Sequence, residues 1–225
     1  MDELLARMKL FSGLSEEDRQ ALAHQLTRRS AKRGTVLFSE GDRGENVNLV
    51  LAGKVKITRA AADGRENLLA LLGPGELFGE LSLFDPGPRT ATATALTDIE
   101  VATLDHAALP PWLASRPQAA MRLLQVLARR LRRTNEAMAD LVFTDVPGRV
   151  AKALLDLAQK FSSPGPGPGT RVEHGLTQEE LAQYVGASRE TVNKALADFA
   201  SRGWLRLDSR AVILLDPDRL ARRAR

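Results

Sequence analysis

Gly79-Glu80-Leu81-Ser82, followed by Asp85-Pro86-Gly87-Pro88-Arg89-Thr90, brings together side chains suited to holding a small anion. A short helical turn entered through a glycine presents backbone N–H groups to negative charge. Arg89 offers a paired contact to a phosphate. Ser82 and Thr90 add hydroxyl donors. Glu80 is repelled by phosphate but accepts from a ribose hydroxyl. Together these groups suit a nucleotide carrying one compact phosphate. A surface turn held by an Arg–Glu pair is the competing account of the same residues.

A second constellation lies at residues 177–199. Thr177-Gln178-Glu179-Glu180 has capping-box spacing ahead of an apolar face of Leu181, Ala182 and Val185. Gly186 supplies the positive φ that a sharp turn needs, and Ser188 caps a second helix. On a helical projection Val192, Ala195, Leu196 and Phe199 share one face, while Arg189, Glu190, Asn193 and Lys194 share the opposite, polar face. Arginine reads guanine O6 and N7 in a major groove, glutamate accepts from cytosine N4, and lysine reaches a base or a phosphate. An unpaired Glu190 facing phosphates would be repelled, so its presence favours base reading. A solvated amphipathic helix is the alternative.

These groups need elements to carry them. Residues 1–30 read as helical, with Ser15 capping and Leu22 and Leu26 on one face. Short apolar runs at 35–38, 47–51, 55–58, 68–72, 90–96 and 99–104 alternate with glycine turns, which predicts a β-sandwich or roll. Residues 117–143 predict one helix of about 40 Å. Ala120, Leu124, Leu127, Leu131, Thr134, Met138 and Leu141 recur along it in 4-3 spacing, a heptad seam that favours a parallel homodimer. Arg129, Arg130, Arg132 and Arg133 flank the seam. Residues 144–148 form a hinge, 149–161 a helix and 162–170 a Pro/Gly loop. Residues 204–207 and 211–215 pair as a β-hairpin, so the C-terminal part is a winged helix–turn–helix. The arginine-rich tail at 219–225 is either a source of phosphate contacts or a solvated end.

Composition narrows the function classes. Hydrophobic residues are 44% and charged residues 27% of the 225, a globular balance. No apolar run is long enough to span a membrane, and the acidic start Met1-Asp2-Glu3 is no signal peptide; a cytoplasmic protein is expected. The absence of cysteine excludes disulfides, thiolate metal sites and cysteine nucleophiles. His24, His106 and His174 lie too far apart for a tight metal motif, so no metal is expected. A hydrolase using Glu80 with His106 lacks any nucleophile–base pairing. Residues 1–116 hold 14 basic and 16 acidic side chains, net −2; residues 117–225 hold 18 and 12, net +6. The C-terminal half is therefore the one suited to a polyanion.

Three stretches together resemble the CRP/FNR family of transcription regulators, in the branch found in high-GC Gram-positive bacteria. FGELSLFDPGPRTATA resembles its phosphate-binding cassette, ARRLRRTN its dimer helix and GASRETVNKALADFASRGWL its recognition helix. The resemblance runs from about residue 10 to the end. It implies an α+β fold: an N-terminal β-roll (double-stranded jelly-roll) cyclic nucleotide-binding domain at 1–116, a dimerisation helix at 117–143, and a winged helix-turn-helix DNA-binding domain at 144–225. It implies a cyclic-AMP effector contacted by Gly79, Glu80, Leu81, Ser82, Arg89 and Thr90, with Thr134 and Asn135 facing adenine, the second across the dimer. It implies DNA contacts by Ser188, Arg189, Glu190, Thr191, Asn193 and Lys194 on a TGTGA/TCACA-like inverted repeat in double-stranded DNA, and RNA polymerase as a partner. A ligand-independent DNA-binding or architectural protein of the same fold is the alternative. The chain departs from the family pattern at Asn135, a serine in the best-studied branch, at Lys194, an arginine, and at Asn48, where an aromatic is common and looser packing is the expected result.

Overall fold

Side chains along β3 (Asn46–Ala52) point alternately to two faces. Val47, Leu49 and Leu51 pack towards helices, whereas Val50 packs between two sheets. That alternation organises the N-terminal part. The structure, a computed structural model, describes residues 15–85, 87–164 and 167–224. Helix α1 (Glu16–Gln25) precedes β1 (Thr27–Ala31), β2 (Val36–Phe38), β3, β4 (Val55–Ala60), β5 (Glu66–Leu72) and β6 (Leu77–Phe78). A one-turn helix α2 (Leu81–Phe84), β7 (Thr92–Ala95), β8 (Ile99–Asp105) and α3 (Leu109–Ala114) follow. The strands form two four-stranded sheets, ordered β1-β8-β3-β6 and β2-β7-β4-β5. Val50, Val55, Phe78, Ala93 and Val101 fill one apolar cluster. Leu22, Leu49, Ala102, Trp112 and Leu123 fill the other, beneath the helices.

Helix α4 (Pro117–Phe143) is continuous over the predicted range. Its Ala119 and Leu123 are buried, while Leu124, Leu131, Met138 and Leu141 are each more than half exposed. The helix thus has two apolar faces, and the heptad seam is the one that faces solvent. After α4 come α5 (Val146–Phe161), β9 (Ser162–Pro164), β10 (Thr170–Val172), α6 (Gln178–Val185), α7 (Arg189–Ser201), β11 (Leu205–Asp208), β12 (Ala211–Leu214) and α8 (Pro217–Arg223). The small sheet runs β11-β12-β10-β9. The chain divides into two compact units, residues 1–59 with 70–134 and residues 60–69 with 135–225. No helix among the described residues is long and apolar enough to cross a membrane.

Three expectations need correction. Residues 27–31 are strand β1, not helix, and residues 1–14 of the predicted helix lie outside the described residues. β1 is an edge strand, its side chains mostly exposed, so Arg28 and Arg29 mask any apolar alternation; Arg28 pairs with Glu100 on β8. The Pro/Gly stretch is not loop throughout, because Ser162–Pro164 pairs with Thr170–Val172. The tail is not simply a solvated segment, although Arg219 and Arg222 are exposed on it. It folds as α8, whose Leu220 is fully buried and whose Arg223 pairs with Asp145.

Asp145 links these elements. Its Oδ1 accepts from the Gly148 N–H at 2.9 Å, capping α5, and its Oδ2 accepts from Arg223. The Arg223 hydrogen bond, with help from the Gly148 N–H, holds the Asp145 carboxyl below the usual carboxylate range. A carboxyl lowered by folding stabilises the native state above its unfolded pKa, and that contribution is lost as pH falls through the lowered value. Asp145→Ala is expected to cost about 0.5–2 kcal/mol, the usual worth of an N-cap, read as a drop in the urea midpoint. Asp145→Asn should flatten the acid side of the stability profile. An unchanged midpoint in the alanine variant would show that the cap contributes nothing.

Candidate functional site

The sequence leaves β6 at Phe78 and turns through Gly79, whose φ of +78° is left-handed. A Cβ at Gly79 would lie 2.6 Å from Arg89 Nη1, and one at Gly44 would lie 2.0 Å from Ser82 Oγ. Both positions are therefore closed to any larger residue unless their neighbours move. The turn delivers Glu80 to the N-cap of α2 with its side chain only 2% exposed. Arg89 approaches from the other side. Its backbone is fixed by hydrogen bonds from Gly41 N–H to Arg89 O (2.9 Å) and from Arg89 N–H to Asp42 O (2.8 Å).

Arg89 is 4% exposed and makes four hydrogen bonds through its two terminal nitrogens. Nη1 donates to Gly79 O (2.7 Å) and Ser82 Oγ (3.1 Å). Nη2 donates to Asn46 O (2.7 Å) and Asn46 Oδ1 (3.1 Å). The guanidinium lies 4.2 Å from the centroid of the Phe38 ring, and Phe38 packs in turn against Phe78. The remaining donor, Nε, is buried with no hydrogen-bond partner among the described residues. Burial pushes the Arg89 pKa down, and the carboxylates of Glu80 and Asp42 oppose that shift; an arginine remains charged throughout.

Glu80 does not pair with Arg89. Its Oε1 accepts from Arg130 Nη1, while Arg130 Nη2 donates to Leu77 O at 2.7 Å. The competing surface-turn account needed an Arg89–Glu80 pair at the surface and so loses its support. Arg130 is the residue that sequence reasoning missed: nothing in the arginine-rich run flanking the seam sets it apart from Arg129, Arg132 and Arg133. Its position one turn before Thr134, whose Oγ1 donates to Arg130 O at 3.1 Å, was the only available signal. Gly79, Glu80, Ser82 and Arg89 meet in one buried cluster, whereas Leu81 and Thr90 are exposed at its rim. Thr134 and Asn135 lie on the exposed part of α4. Asn48 is not loosely packed: it is 6% exposed and hydrogen-bonded to Asn46 and Thr103.

In the C-terminal unit, Thr177 and Glu180 form the reciprocal capping box that starts α6. Gly186 ends that helix at φ +71°, and its Cα faces Leu141 Cδ2 so closely that a Cβ would lie 2.9 Å away. Arg149 binds three backbone carbonyls, of Thr144 (2.8 Å), Val185 (3.1 Å) and Gly186 (3.1 Å). Helix ends leave such carbonyls without intrahelical donors, so Arg149 ties the end of α4 to the turn. Ser188 caps α7 by accepting from Thr191 N–H, and the two hydroxyls are 2.8 Å apart. Val192, Ala195, Leu196 and Phe199 are buried, as the projection predicts. Ser188, Arg189, Glu190, Thr191 and Lys194 are exposed; Asn193 is only half-buried, with Oδ1 enclosed and without a hydrogen-bond partner among the described residues. Glu190 is not unpaired, because Lys194 meets it at 2.7 Å one turn on. Such an exposed pair is worth at most about 1 kcal/mol, so it yields readily to a stronger partner.

Comparison with known proteins identifies both halves. Residues 28–115 match the cyclic nucleotide-binding domain, and residues 148–223 match the Crp-like helix-turn-helix domain. Over the full length of both chains, this one is 57% identical to the CRP-like cAMP-activated global transcriptional regulator of Mycobacterium tuberculosis. It is 41% identical to the cyclic AMP receptor protein of Thermus thermophilus, over 88% of each chain. The solved structure of FixK2 from Bradyrhizobium japonicum shares the fold at a TM-score of 0.78 and 25% identity, covering 88% of this chain and 96% of that one. With a buried anion-type cluster in the first half and a capped helix–turn–helix in the second, the chain belongs to the CRP-like family of transcription regulators, which are not enzymes.

Proposed function

We propose that this chain is a cyclic-AMP-responsive, sequence-specific DNA-binding regulator that acts in the cytoplasm as a homodimer on a palindromic TGTGA/TCACA-like site. Arg89 carries the ligand half of this reading. A buried guanidinium with one N–H unpaired beside two obligatory close approaches, Gly44 and Gly79, is suited to a single anionic oxygen. A cyclic phosphodiester supplies such an oxygen in compact form. Gly79, Glu80, Leu81, Ser82, Arg89 and Thr90 would hold phosphate and ribose, with Glu80 shared between the sugar and Arg130. Thr134 and Asn135 would meet adenine, Asn135 from the second protomer.

The exposed seam of Leu124, Leu131, Met138 and Leu141 supports the dimer, since apolar side chains in heptad spacing bury one another when two such helices pair. The functional domains in this reading are residues 1–116, 117–143 and 144–225. Thr134 sits within the seam, so a ligand touching it has different contacts in different helix pairings. Differential contact is what allows a ligand to shift a conformational equilibrium. The equilibrium here concerns the separation of two recognition helices, which must match half-sites roughly 34 Å apart. Ser188, Arg189, Glu190, Thr191, Asn193 and Lys194 would face the DNA, Glu190 and Lys194 exchanging their mutual pair for base and phosphate contacts. RNA polymerase is the expected protein partner.

Arg89→Ala is expected to abolish or strongly weaken calorimetric binding of cyclic AMP while sedimentation still reports a dimer; undiminished binding would overturn the phosphate assignment. Glu190→Ala should relax discrimination at one base pair of each half-site by about 1–3 kcal/mol, read from a panel of single-base operator variants. Uniform losses across the panel would remove Glu190 from base reading.

A further inference from the structure

Asn46 and Asn48 lie two apart on β3 and therefore share a face. In the strand register Thr103 of β8 sits directly opposite Asn48. Three polar side chains thus occupy a line running into the protein, where every neighbour in a roll would ordinarily be apolar. Asn48 and Thr103 are 6% and 7% exposed, and polar groups so enclosed are costly unless hydrogen-bonded. Here they bond to each other and to the site. Thr103 Oγ1 donates to Asn48 Oδ1 at 2.9 Å, and Asn48 Nδ2 donates to Asn46 Oδ1 at 3.0 Å. The same Asn46 Oδ1 accepts from Arg89 Nη2 at 3.1 Å.

The guanidinium fixes the sense of these bonds, because it can only donate. Asn46 therefore presents Oδ1 to Arg89 Nη2, and Asn48 presents Nδ2 to the same oxygen. The Asn48 Oδ1 that this leaves inside the protein is satisfied by the Thr103 hydroxyl. We infer that Thr103, Asn48 and Asn46 are positioning residues for Arg89: they fix its Nη2 on the protein so that Nε is left for the phosphate. Their role in this inference is to hold Arg89 rather than to bind the nucleotide. The inference rests on the reading of Arg89 as the phosphate contact. It also gives Asn48 a role that an aromatic side chain cannot fill.

Full-length protein titrated calorimetrically with cyclic AMP tests this. Thr103→Val keeps the shape and removes the donor; Thr103→Ser keeps the donor and removes a methyl group. The expected result is a roughly three- to tenfold rise in Kd for the valine variant, the scale of one lost buried hydrogen bond, with the serine variant within about twofold of the parent. Asn46→Ala removes the last acceptor from the half-buried end of the line, and should weaken binding similarly even if the valine variant folds poorly. Parent-like affinity in Asn46→Ala, or in a folded Thr103→Val, would overturn the inference. Equal losses in the serine and valine variants would also overturn it, because they would mark packing rather than donor direction. Failure of the parent itself to bind would instead remove the Arg89 assignment beneath it.

Discussion

A guanidinium taken out of water must be surrounded by acceptors, and the N-terminal half is arranged to supply them to Arg89. The effective cost of burying an ion is several kcal/mol, and hydrogen bonds to a charged group return about 1.5–3 kcal/mol each. Four such bonds, from Gly79 O, Ser82 Oγ, Asn46 O and Asn46 Oδ1, offset the burial. Each acceptor comes from a different demand on the chain. Gly79 must be left-handed for its carbonyl to face inwards. Ser82 must lie over Gly44 without a Cβ between them. Asn46 must be held by Asn48. The cluster is therefore stable only when two strands, one helical turn and the Gly41–Asp42 turn are all in place.

Glu80 couples that cluster to the long helix. Its carboxylate is buried and bound by Arg130, one turn before Thr134. A ligand that competes for Glu80, or draws charge towards Arg89, thereby changes what Arg130 experiences on α4. The helix itself has two jobs on two faces. Ala119 and Leu123 anchor it to the roll, while Leu124, Leu131, Met138 and Leu141 stay exposed. At the far end of the chain, Arg149 and Asp145 collect orphan helix ends and the last helix into one unit. The helix that carries both Arg130 and the exposed seam is continuous from Pro117 to Phe143.

Much of this was legible in the sequence because local chemistry dictated it. The Thr177–Glu180 capping box, the left-handed Gly186 and the 117–143 helix each follow from residue types at short spacing, and each is realised. What was hidden depends on contacts distant in sequence. β1 looks polar because it is an edge, and its strand character comes from pairing with β8 about 70 residues on. Arg130 looks solvated until Glu80, 50 residues earlier, is folded against it. The terminal arginines conceal a helix fixed by one buried leucine, Leu220. Asn48 suggests loose packing only while Thr103 is out of view.

In the proposed function, occupation of the Arg89 cluster is felt at the recognition helices. The most direct measurement is the affinity of the full-length protein for one inverted-repeat duplex, with and without saturating cyclic AMP, at a single fixed salt concentration, because phosphate contacts make such affinities strongly salt-dependent. Markedly tighter binding is expected in the presence of the nucleotide, with the gain lost in Arg89→Ala. Equal affinity of occupied and unoccupied protein for that duplex would contradict it.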